Sequence, residues 1–354
     1  MSYASVVLPL PVYKSFTYHI PPELVQQIHR GTIVEVEFHG SRRIGCVLSL
    51  QSDNPEEEYE LKNILSDLPI APLVPWQIEL AKRISYQTFS SLGESIGLFI
   101  PEYHSGWRKW MNRRIILQLD DKNFVDNLKK NGIYPTNQGI NLFLFKELFK
   151  LTAKEINQMI KEKRIVLLDE KKPETPVGFT FSQKRRNWWQ RGTISESVAL
   201  IGDLVVESVQ KGLKTILIFP GPNVLDYFFD ALKVAHPSIR FLSYDGRLSP
   251  RQRIFQYQMV REGYYDVLLG TRLALFLPIQ QVSVHILFDP NEYGHYSDQY
   301  PHYHSFFTLV NKLDVTGGDL HVIGTIPDMT LFLGLKNGYF QTRNFIKHQY
   351  GRHN

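Results

Sequence analysis

The chain has 354 residues and a net charge of +5, from 40 lysines and arginines against 35 aspartates and glutamates. At about 150 residues per domain, this length predicts two to three domains. The hydrophobic fraction of 43% is ordinary for a globular protein and excludes wholesale disorder. The single cysteine, Cys46, excludes a disulfide scaffold and a four-cysteine metal site within these residues.

The N-terminal segment and the hydropathy pattern bear on localisation. Pro9 and Pro11 interrupt the first apolar run, which has no basic leader, so we expect no signal peptide. No window reaches the ~20 apolar residues of a bilayer-spanning helix. We therefore expect a cytoplasmic protein without a membrane partner.

The first region, residues 1–103, has the pattern of an antiparallel β unit followed by a helix. Alternating apolar residues and the turn-forming Gly31, Gly40 and Asn54 favour hairpins. A helix is predicted from about Trp76. The predicted strands are 4–10, 33–38, 44–50 and 58–65.

The second region, residues 104–170, is predicted to contain strands at 115–119 and 164–168 and helices at 142–149 and 152–161. Thr152 and Glu155 have the spacing of a capping box, which marks a helix N-terminus. This order favours a winged-helix unit, and a generic helical linker domain is the alternative. The charged, proline-containing stretch 169–174 is the predicted linker to the next region.

The third region, residues 178–340, alternates helical patterns with short, almost wholly apolar segments. This alternation is typical of an α/β domain whose parallel sheet is covered by helices on both faces. The predicted helices are 195–210, 224–234, 250–261 and 303–313. The predicted strands are 215–219, 241–244, 267–269, 284–289 and 320–324.

A phosphate-binding loop would lie just before the first helix of such a domain. It needs several glycines followed by Lys and Ser or Thr, because backbone N–H groups surround the phosphates while the lysine and hydroxyl handle charge and Mg²⁺. Residues 191–197 are instead Arg-Gly-Thr-Ile-Ser-Glu-Ser. Gly192 is their only glycine, they contain no lysine, and Glu196 would bring negative charge to the triphosphate. We predict that nucleotide hydrolysis at this position is lost.

Four segments of the third region are similar to motifs of the primosomal replication-restart helicases, the primosomal protein N′ or PriA family. They occur here in the same order as in that family. The similar segments are ILIFP at 216–220, LSPRQR at 248–253, GTRLALFLP at 270–278 and PHYH at 301–304.

The N-terminal region agrees independently, because LPLP at 8–11, FTY at 16–18, RIG at 43–45 and LK at 61–62 resemble the family's 3′-DNA-binding domain. The resemblance covers about residues 1–103 and 178–335. It implies a multidomain protein. The implied parts are a β-rich N-terminal DNA-binding domain at 1–103, a winged helix at 104–170, one RecA-like α/β lobe with a parallel sheet at 178–340, and a basic tail at 341–354.

The same resemblance implies that the ATPase motifs are degenerate. The family's Walker A Lys-Thr pair falls on Ser195 and Glu196, and its D-E-E-H motif becomes Asp-Pro-Asn-Glu at 289–292. The family's second motor lobe and zinc-binding cysteines have no counterpart in these residues. We therefore expect no catalytic residues, metal or cofactor, with ATP and Mg²⁺ at most weak, non-hydrolysed ligands. The degenerate nucleotide site would consist of Gly192, Ser195, Glu196, Asp289 and Glu292.

For DNA, the resemblance implies a pocket that holds the 3′ end of a strand. The family's aromatic-acidic-aromatic trio falls on Phe16, Thr17 and Tyr18, its lysine on Lys62 and its pocket glycine on Gly40. The rings would stack on a terminal base and Lys62 would neutralise phosphate. Thr17 replaces a carboxylate, which would weaken or alter end recognition. From the residues alone, Phe16 and Tyr18 are ordinary alternating strand residues.

Two segments that mix cations with indole rings add candidate DNA contacts. One is WRKW at 107–110, with Arg108 and Lys109; the other is KRRNWWQR at 184–191, with Arg185 and Arg186. This combination suits single strands and junctions. The alternative is a solvated linker face whose tryptophans anchor contacts between domains.

Other side chains with reactive chemistry have structural interpretations. His295, His302 and His304 are interpreted as neutral surface histidines rather than metal ligands. Cys46 lies in an apolar strand pattern and is predicted to be buried and inert.

Three hypotheses follow for the function. The first is a DNA-binding, ATPase-deficient protein of this family that binds 3′-ended or forked DNA and positions replication-restart proteins. The second is an ATP-dependent DNA helicase subunit completed in trans, and the third is a replication-restart scaffold that no longer binds DNA. DNA-stimulated ATP hydrolysis would favour the second, and loss of salt-sensitive binding to forked DNA would favour the third.

Overall fold

The computed structural model describes residues 2–52, 60–117, 122–134, 139–168, 185–279 and 282–342. The predicted linker 169–174 and the tail after Thr342 lie outside the described residues. Parts of the predicted strands 58–65 and 115–119 also lie outside them.

The N-terminal region begins with five strands: β1 (Ser2–Val7), β2 (Phe16–Ile20), β3 (Ile33–Phe38), β4 (Ser41–Gln51) and β5 (Ile64–Asp67). They form an antiparallel sheet in the order β2-β1-β4-β3-β5. The predicted strand 33–38 is confirmed residue for residue, and the β-rich character of the region is confirmed. β2 is absent from the predicted strands, and β5 begins later than predicted.

The two outer strands of this sheet meet. The amide of His19 on β2 donates to the carbonyl of Lys62 at 2.9 Å, and a β-bridge links His19 with Asn63 just before β5. The sheet therefore curls until its edges touch. Its interior is filled by apolar side chains that include Val6, Tyr18 and Ile64.

Two helices follow the sheet, α1 (Pro75–Thr88) and α2 (Leu92–Gly97). The predicted helix start near Trp76 is confirmed, and Trp76, Leu80 and Ile84 face the core. α1 ends at Phe89, whose backbone adopts a left-handed φ of 52°.

The second region consists of α3 (Arg108–Met111), β6 (Arg114–Leu117), α4 (Lys122–Lys130), β7 (Ile140–Asn141), α5 (Leu142–Leu148), α6 (Ala153–Lys161) and β8 (Ile165–Leu168). β6 lies between β7 and β8 in a small antiparallel sheet. The predicted capping box is confirmed, because the Thr152 hydroxyl accepts from the Glu155 amide at 3.3 Å and the Glu155 carboxylate from the Thr152 amide at 2.6 Å.

The third region contains seven strands and five helices among its described residues. They are β9 (Asn187–Arg191), α7 (Ile194–Gln210), β10 (Lys214–Ile218), α8 (Pro222–Ala235), β11 (Phe241–Tyr244), α9 (Pro250–Arg261), β12 (Val267–Gly270), β13 (Val282–Phe288), α10 (Ser305–Thr316), β14 (Asp319–Gly324), α11 (Met329–Lys336) and β15 (Gln341–Thr342). The strand order is β11-β12-β10-β13-β14-β9-β15, and every neighbouring pair is parallel.

Alternate side chains of the central strands pack on opposite faces of this sheet. Leu217 and Ile286 belong to a cluster with residues of α7 and α8, whereas Ile216 and Leu287 belong to a cluster with residues of α9 and α10. Burial on both faces explains why these strands are apolar almost throughout. The predicted parallel sheet with helices on both faces is confirmed.

β9 is the main departure from the expected fold. The segment 187–191 is predicted as part of a DNA-contacting basic-aromatic run, but it forms an inner strand between β14 and β15. Trp189 is only 5% exposed there. The first two residues of the predicted tail, Gln341 and Thr342, pair with Trp188 and Trp189 as the edge strand β15.

The N-terminal region packs directly against the third region. The Asn311 side chain on α10 donates to Oε1 of Gln87 on α1 at 2.7 Å, and the rings of Phe99 and Phe276 meet edge to face at 5.1 Å. One continuous hydrophobic cluster extends through all three regions. Among the described helices, none combines the length and the apolar character needed to cross a bilayer.

Candidate nucleic-acid interface and nucleotide site

An aromatic surface lies at the end of the curled sheet where β2 begins and β3 ends. The rings of Phe16 and Phe38 are 4.7 Å apart, and His39 packs edge-on against Phe38 at 4.3 Å. The ammonium of Lys14 lies 5.3 Å from the centre of the Phe16 ring. Phe16 is half-buried, so part of its ring remains accessible beside a cation.

Gly40 lies in the turn that joins β3 to β4. Its φ is 73° and that of the preceding His39 is 48°, which is the geometry of a two-residue type I′ turn. A Cβ at Gly40 would meet nothing within 4 Å. The backbone therefore requires the glycine, and the space around it is open.

Lys62 lies just before β5, with its ammonium 2.5 Å from Oε1 of Glu37 on β3. The side chains are 50% and 43% exposed, so water screens the pair. Glu37 is missing from the predicted site residues. The alternation along β3 could have found it, because this alternation places Glu35 and Glu37 on the face opposite Val34 and Val36. Any phosphate that contacts Lys62 competes with Glu37.

Tyr18 does not fit its predicted role as a stacking ring. It is only 4% exposed and lies inside the curled sheet, where its hydroxyl donates to the carbonyl of Glu37 at 3.2 Å. A base cannot reach a ring that the core encloses. Thr17, the next residue along β2, is half-buried and alternates to the other face of the strand.

The segment with Arg108 and Lys109 is anchored by its tryptophans. Trp107 packs against Phe143 of α5 at 6.1 Å. Arg108 pairs with Asp67 at 3.4 Å, while the exposed Lys109 ammonium lies 4.8 Å from the Trp110 ring. Lys109 thus remains accessible to phosphate, whereas the indole rings contribute to packing as the linker alternative proposed.

Arg185 and Arg186 are both engaged within the chain. Arg185 forms an ion pair with Asp314 and donates to Oδ1 of Asn187 at 2.8 Å. Arg186 pairs with Asp319 at 2.6 Å. These ion pairs hold the start of β9 against α10 and β14. Because Trp189 is buried and both arginines are paired, the predicted DNA contact of this segment loses one of its two indole rings and much of its unpaired positive charge.

The predicted nucleotide-site residues do come together, at the carboxyl ends of three neighbouring strands. β14 lies between β9 and β13. The amide of Gly192 donates to the carbonyl of Gly324 at 3.1 Å, and the amide of Asp289 donates to the carbonyl of Ile323 at 2.7 Å. Gly192 and Asp289 therefore lie on either side of the end of β14.

Glu196 completes a capping box at the N-terminus of α7. Its carboxylate accepts from the amide of Thr193 at 2.9 Å and from the hydroxyl of Thr193 at 2.7 Å. The N-terminus of a helix attracts anions through its free N–H groups and its dipole. Here the chain's own carboxylate takes that role, while Ser195 is exposed next to it.

Two carboxylates of the degenerate D-E-E-H segment lie close enough to repel each other. Burial, and then the charge of Glu292, raise the pKa of Asp289 above its usual value. Asp289 also has a left-handed φ of 48°. Glu292 is exposed and Pro290 is buried. Within the described residues, no group of three or more His, Cys, Asp or Glu side chains is arranged to hold a metal ion.

The histidines and the cysteine have structural roles. His295 is fully buried, with Nε2 2.9 Å from the carbonyl of Phe288, and burial lowers its pKa to about 4. It is neutral as predicted but does not lie on the surface. His304 caps α10 by accepting from the amide of Phe306. The predicted burial of Cys46 is confirmed, and burial raises the pKa of its thiol to about 12, which disfavours the reactive thiolate.

Comparison with known proteins agrees with the N-terminal geometry. Residues 5–101 match the 3′-DNA-binding domain (3′BD) of PriA. The chain is 21% identical over 364 residues to the replication restart protein PriA of Thermotoga maritima, covering 85% of the chain and 48% of the relative. It is 21% identical over 382 residues to that of Chlamydia trachomatis, covering 92% and 49%.

Similarity to solved structures is weak. The E. coli DEAD-box protein SrmB, bound to regulator of ribonuclease activity A, matches 46% of this chain and 92% of its own at 16% identity and a TM-score of 0.33. A similarity at that level carries no argument about this chain. The N-terminal match and the two sequence relatives make this chain similar to PriA proteins, and it spans about half the length of the curated relatives it matches.

Proposed function

We propose that this chain is a DNA-binding replication-restart protein that recognises 3′-ended or forked DNA and does not hydrolyse ATP. The observation that carries the proposal is the match of residues 5–101 to a 3′-DNA-binding domain whose Phe16, Gly40 and Lys62 lie at the same end of the curled sheet. The third region is then a degenerate RecA-like lobe, and residues 104–170 are a winged helix.

In this proposal the terminal base stacks on the accessible part of Phe16, beside Phe38, while Lys14 and Lys62 neutralise the adjoining phosphates. The open space at Gly40 admits the end of the strand. Lys62 exchanges Glu37 for phosphate as the DNA binds. The exchange costs little, because the pair is exposed.

Three features support the absence of ATP hydrolysis. The sequence 191–197 lacks a lysine to neutralise a triphosphate. Glu196 already occupies the N-terminus of α7, and on the other side of β14 the exposed Glu292 lies close enough to Asp289 to help raise its pKa. A nucleotide would meet negative charge on both sides of β14.

Each alternative has one observation in its favour. The juxtaposition of Gly192, Gly324 and Asp289 preserves the outline of a nucleotide site, which favours a helicase subunit completed in trans. The internal ion pairs of Lys62, Arg185 and Arg186 favour a scaffold that no longer binds DNA.

The test is a fluorescence-anisotropy titration of the full chain with forked DNA carrying a free 3′ hydroxyl, a 3′ phosphate or a blunt end, at ~100 mM salt. We expect Lys62→Ala to weaken binding to the 3′-hydroxyl fork and to lower the slope of log affinity against log salt by about one. Lys211→Ala is the matched control, because Lys211 is an exposed lysine paired at 2.6 Å with Glu207. Unchanged binding by Lys62→Ala removes the pocket, and DNA-stimulated release of phosphate from ATP favours the helicase alternative.

A further inference from the structure

Three aromatic side chains near the sheet are unusually exposed. Tyr13, Tyr86 and Phe89 are 78%, 84% and 85% exposed, whereas most large apolar side chains of the N-terminal region are buried. They converge on one place, because the hydroxyl of Tyr13 donates to the carbonyl of Phe89 at 2.8 Å. Tyr86 lies in the last turn of α1, three residues before Phe89.

The backbone of Phe89 is in a conformation that its side chain disfavours. Its φ of 52° and ψ of 28° are left-handed, at the residue where α1 ends and where glycine is the usual choice. A bulky residue with positive φ is a true outlier, and such strain is retained mainly at functional positions. Here the strained residue contributes little buried surface, because it is 85% exposed.

The three rings lie between two sources of positive charge. On one side, Tyr13 is followed by Lys14, whose ammonium lies over Phe16, and three residues of chain span at most about 11 Å. On the other side, the exposed Lys82 precedes Tyr86 by one helical turn.

A groove between α1 and α10 lies next to Tyr86, and most of the charged side chains around it are paired. It is an open cavity of about 310 Å³ lined by Lys82, Arg83, Tyr86, Gln87 and Asn311. Arg83 pairs with Glu79 and with Asp314, both at 3.5 Å, and Asp314 also pairs with Arg185, so the two acids beside the groove are matched by two arginines. Lys82 is then the cation that a phosphate would meet there.

We propose that Tyr13, Phe89 and Tyr86 form a stacking track for single-stranded DNA, which carries the nucleotides that precede the 3′ end held beside Phe16. This inference rests on the proposed function and extends its site from one terminal nucleotide to a strand of several. Exposed rings interleaved with lysines are the arrangement that binds single strands without sequence preference. The strand leaves the end of the sheet along α1 and reaches the groove between α1 and α10.

Phe89→Gly tests the contribution of the ring to DNA binding without destabilising the folded protein. Glycine adopts the left-handed conformation without steric cost, so this change removes the ring while it relieves the backbone. We expect a melting temperature equal to or above that of the unchanged protein. We also expect the affinity for a 3′-hydroxyl strand of about ten nucleotides to fall between about fivefold and 100-fold, the effect of losing one stacked base.

Tyr86→Ala should lower the affinity for the same strand to a similar degree, because it also removes one ring. Tyr227→Ala, which removes a half-exposed ring from α8 in the third region, is the matched control and should bind like the unchanged protein.

Strand length distinguishes this inference from the proposed function. A trinucleotide with a free 3′ hydroxyl, used as a competitor, fills the end pocket alone. Phe89→Gly and Tyr86→Ala should leave its inhibition constant unchanged, whereas Lys62→Ala should raise it. If Phe89→Gly and Tyr86→Ala bind the longer strand with unchanged affinity while Lys62→Ala is impaired, the track is wrong and the pocket stands. If Lys62→Ala also has no effect on either strand, the proposed function fails with it.

Discussion

The end of the curled sheet and the carboxyl edge of the parallel sheet are the two candidate ligand sites of this chain, and they differ in the charge that they present. At the first, the aromatic and cationic groups remain accessible, with Phe16 half-buried and Lys62 half-exposed beside the open turn at Gly40. At the second, Gly192 and Asp289 keep their places, but Glu196 caps the helix where an anion would bind.

The difference teaches that the backbone geometry of a strand-end site and its electrostatics depend on different residues. Hydrogen bonds between strand ends position Gly192 and Asp289 whatever the neighbouring side chains are. Affinity for phosphate depends on the sign of the charge at one or two positions. The chain has a lysine at such a position in the first site and a glutamate in the second.

The largest expected effect tests the aromatic side of this comparison. Phe16→Ala should lower the affinity for 3′-ended DNA by about 1–3 kcal/mol, because it removes the ring on which the terminal base would stack. Phe16→Tyr should keep most of the affinity, since it retains the ring. Anisotropy titrations measure both, and equal loss of affinity in the two variants would contradict stacking of the base on this ring.

The second-largest effect tests the capping contacts of Thr193 and Glu196 at the N-terminus of α7. Thr193→Ala should lower the free energy of unfolding by about 1 kcal/mol, because it removes the N-cap of α7 and one hydrogen bond to Glu196. Chemical denaturation measures it. Ser195 is an exposed neighbour, and Ser195→Ala should change the free energy of unfolding by no more than about 0.5 kcal/mol. Equal stability of the two variants would contradict the capping arrangement.

A smaller effect tests whether Glu37 competes with DNA. Glu37→Gln removes the charge that pairs with Lys62, and exposed pairs of this kind are worth about 0.2–1 kcal/mol. The affinity for 3′-ended DNA should therefore rise by up to about fivefold at low salt, with the gain shrinking as salt is added. Glu207→Gln, which removes the charge that pairs with Lys211, should leave the affinity for 3′-ended DNA unchanged. A decrease for Glu37→Gln would mean that its carboxylate contacts the DNA directly.

The smallest effect concerns pH at the edge of the parallel sheet. Because folding raises the pKa of Asp289, its carboxyl favours the folded state while protonated, and that contribution is lost as the pH rises through the folded pKa. Asp289→Asn should therefore be slightly more stable than the unchanged protein at pH 7, by up to about 0.5 kcal/mol, and the advantage should vanish below about pH 4. Asn also tolerates the left-handed backbone.

Thermal unfolding at the two pH values measures this difference. Asp230→Asn, on the exposed side of α8, is the control. An advantage of Asp289→Asn that is the same at both pH values would show that the backbone, and not the charge, is responsible.

Local patterns determined much of this protein. Apolar runs located β3 and β11, and the helical pattern of 250–261 located α9. The capping box at Thr152 and the burial of Cys46 also follow from neighbouring residues. These features depend on interactions within a few residues, so the amino-acid sequence carries them directly.

Long-range pairing decided the rest. β9 is a strand because β14 and β15, more than 100 residues later, supply its hydrogen bonds, and its basic start is neutralised by Asp314 and Asp319. Alternation shows that Phe16 and Tyr18 share a face of β2, but only the curling of the sheet buries Tyr18 and leaves Phe16 accessible. The burial of a side chain and the pairing of its charge depend on residues that are distant in the sequence, and only the folded chain brings those residues together.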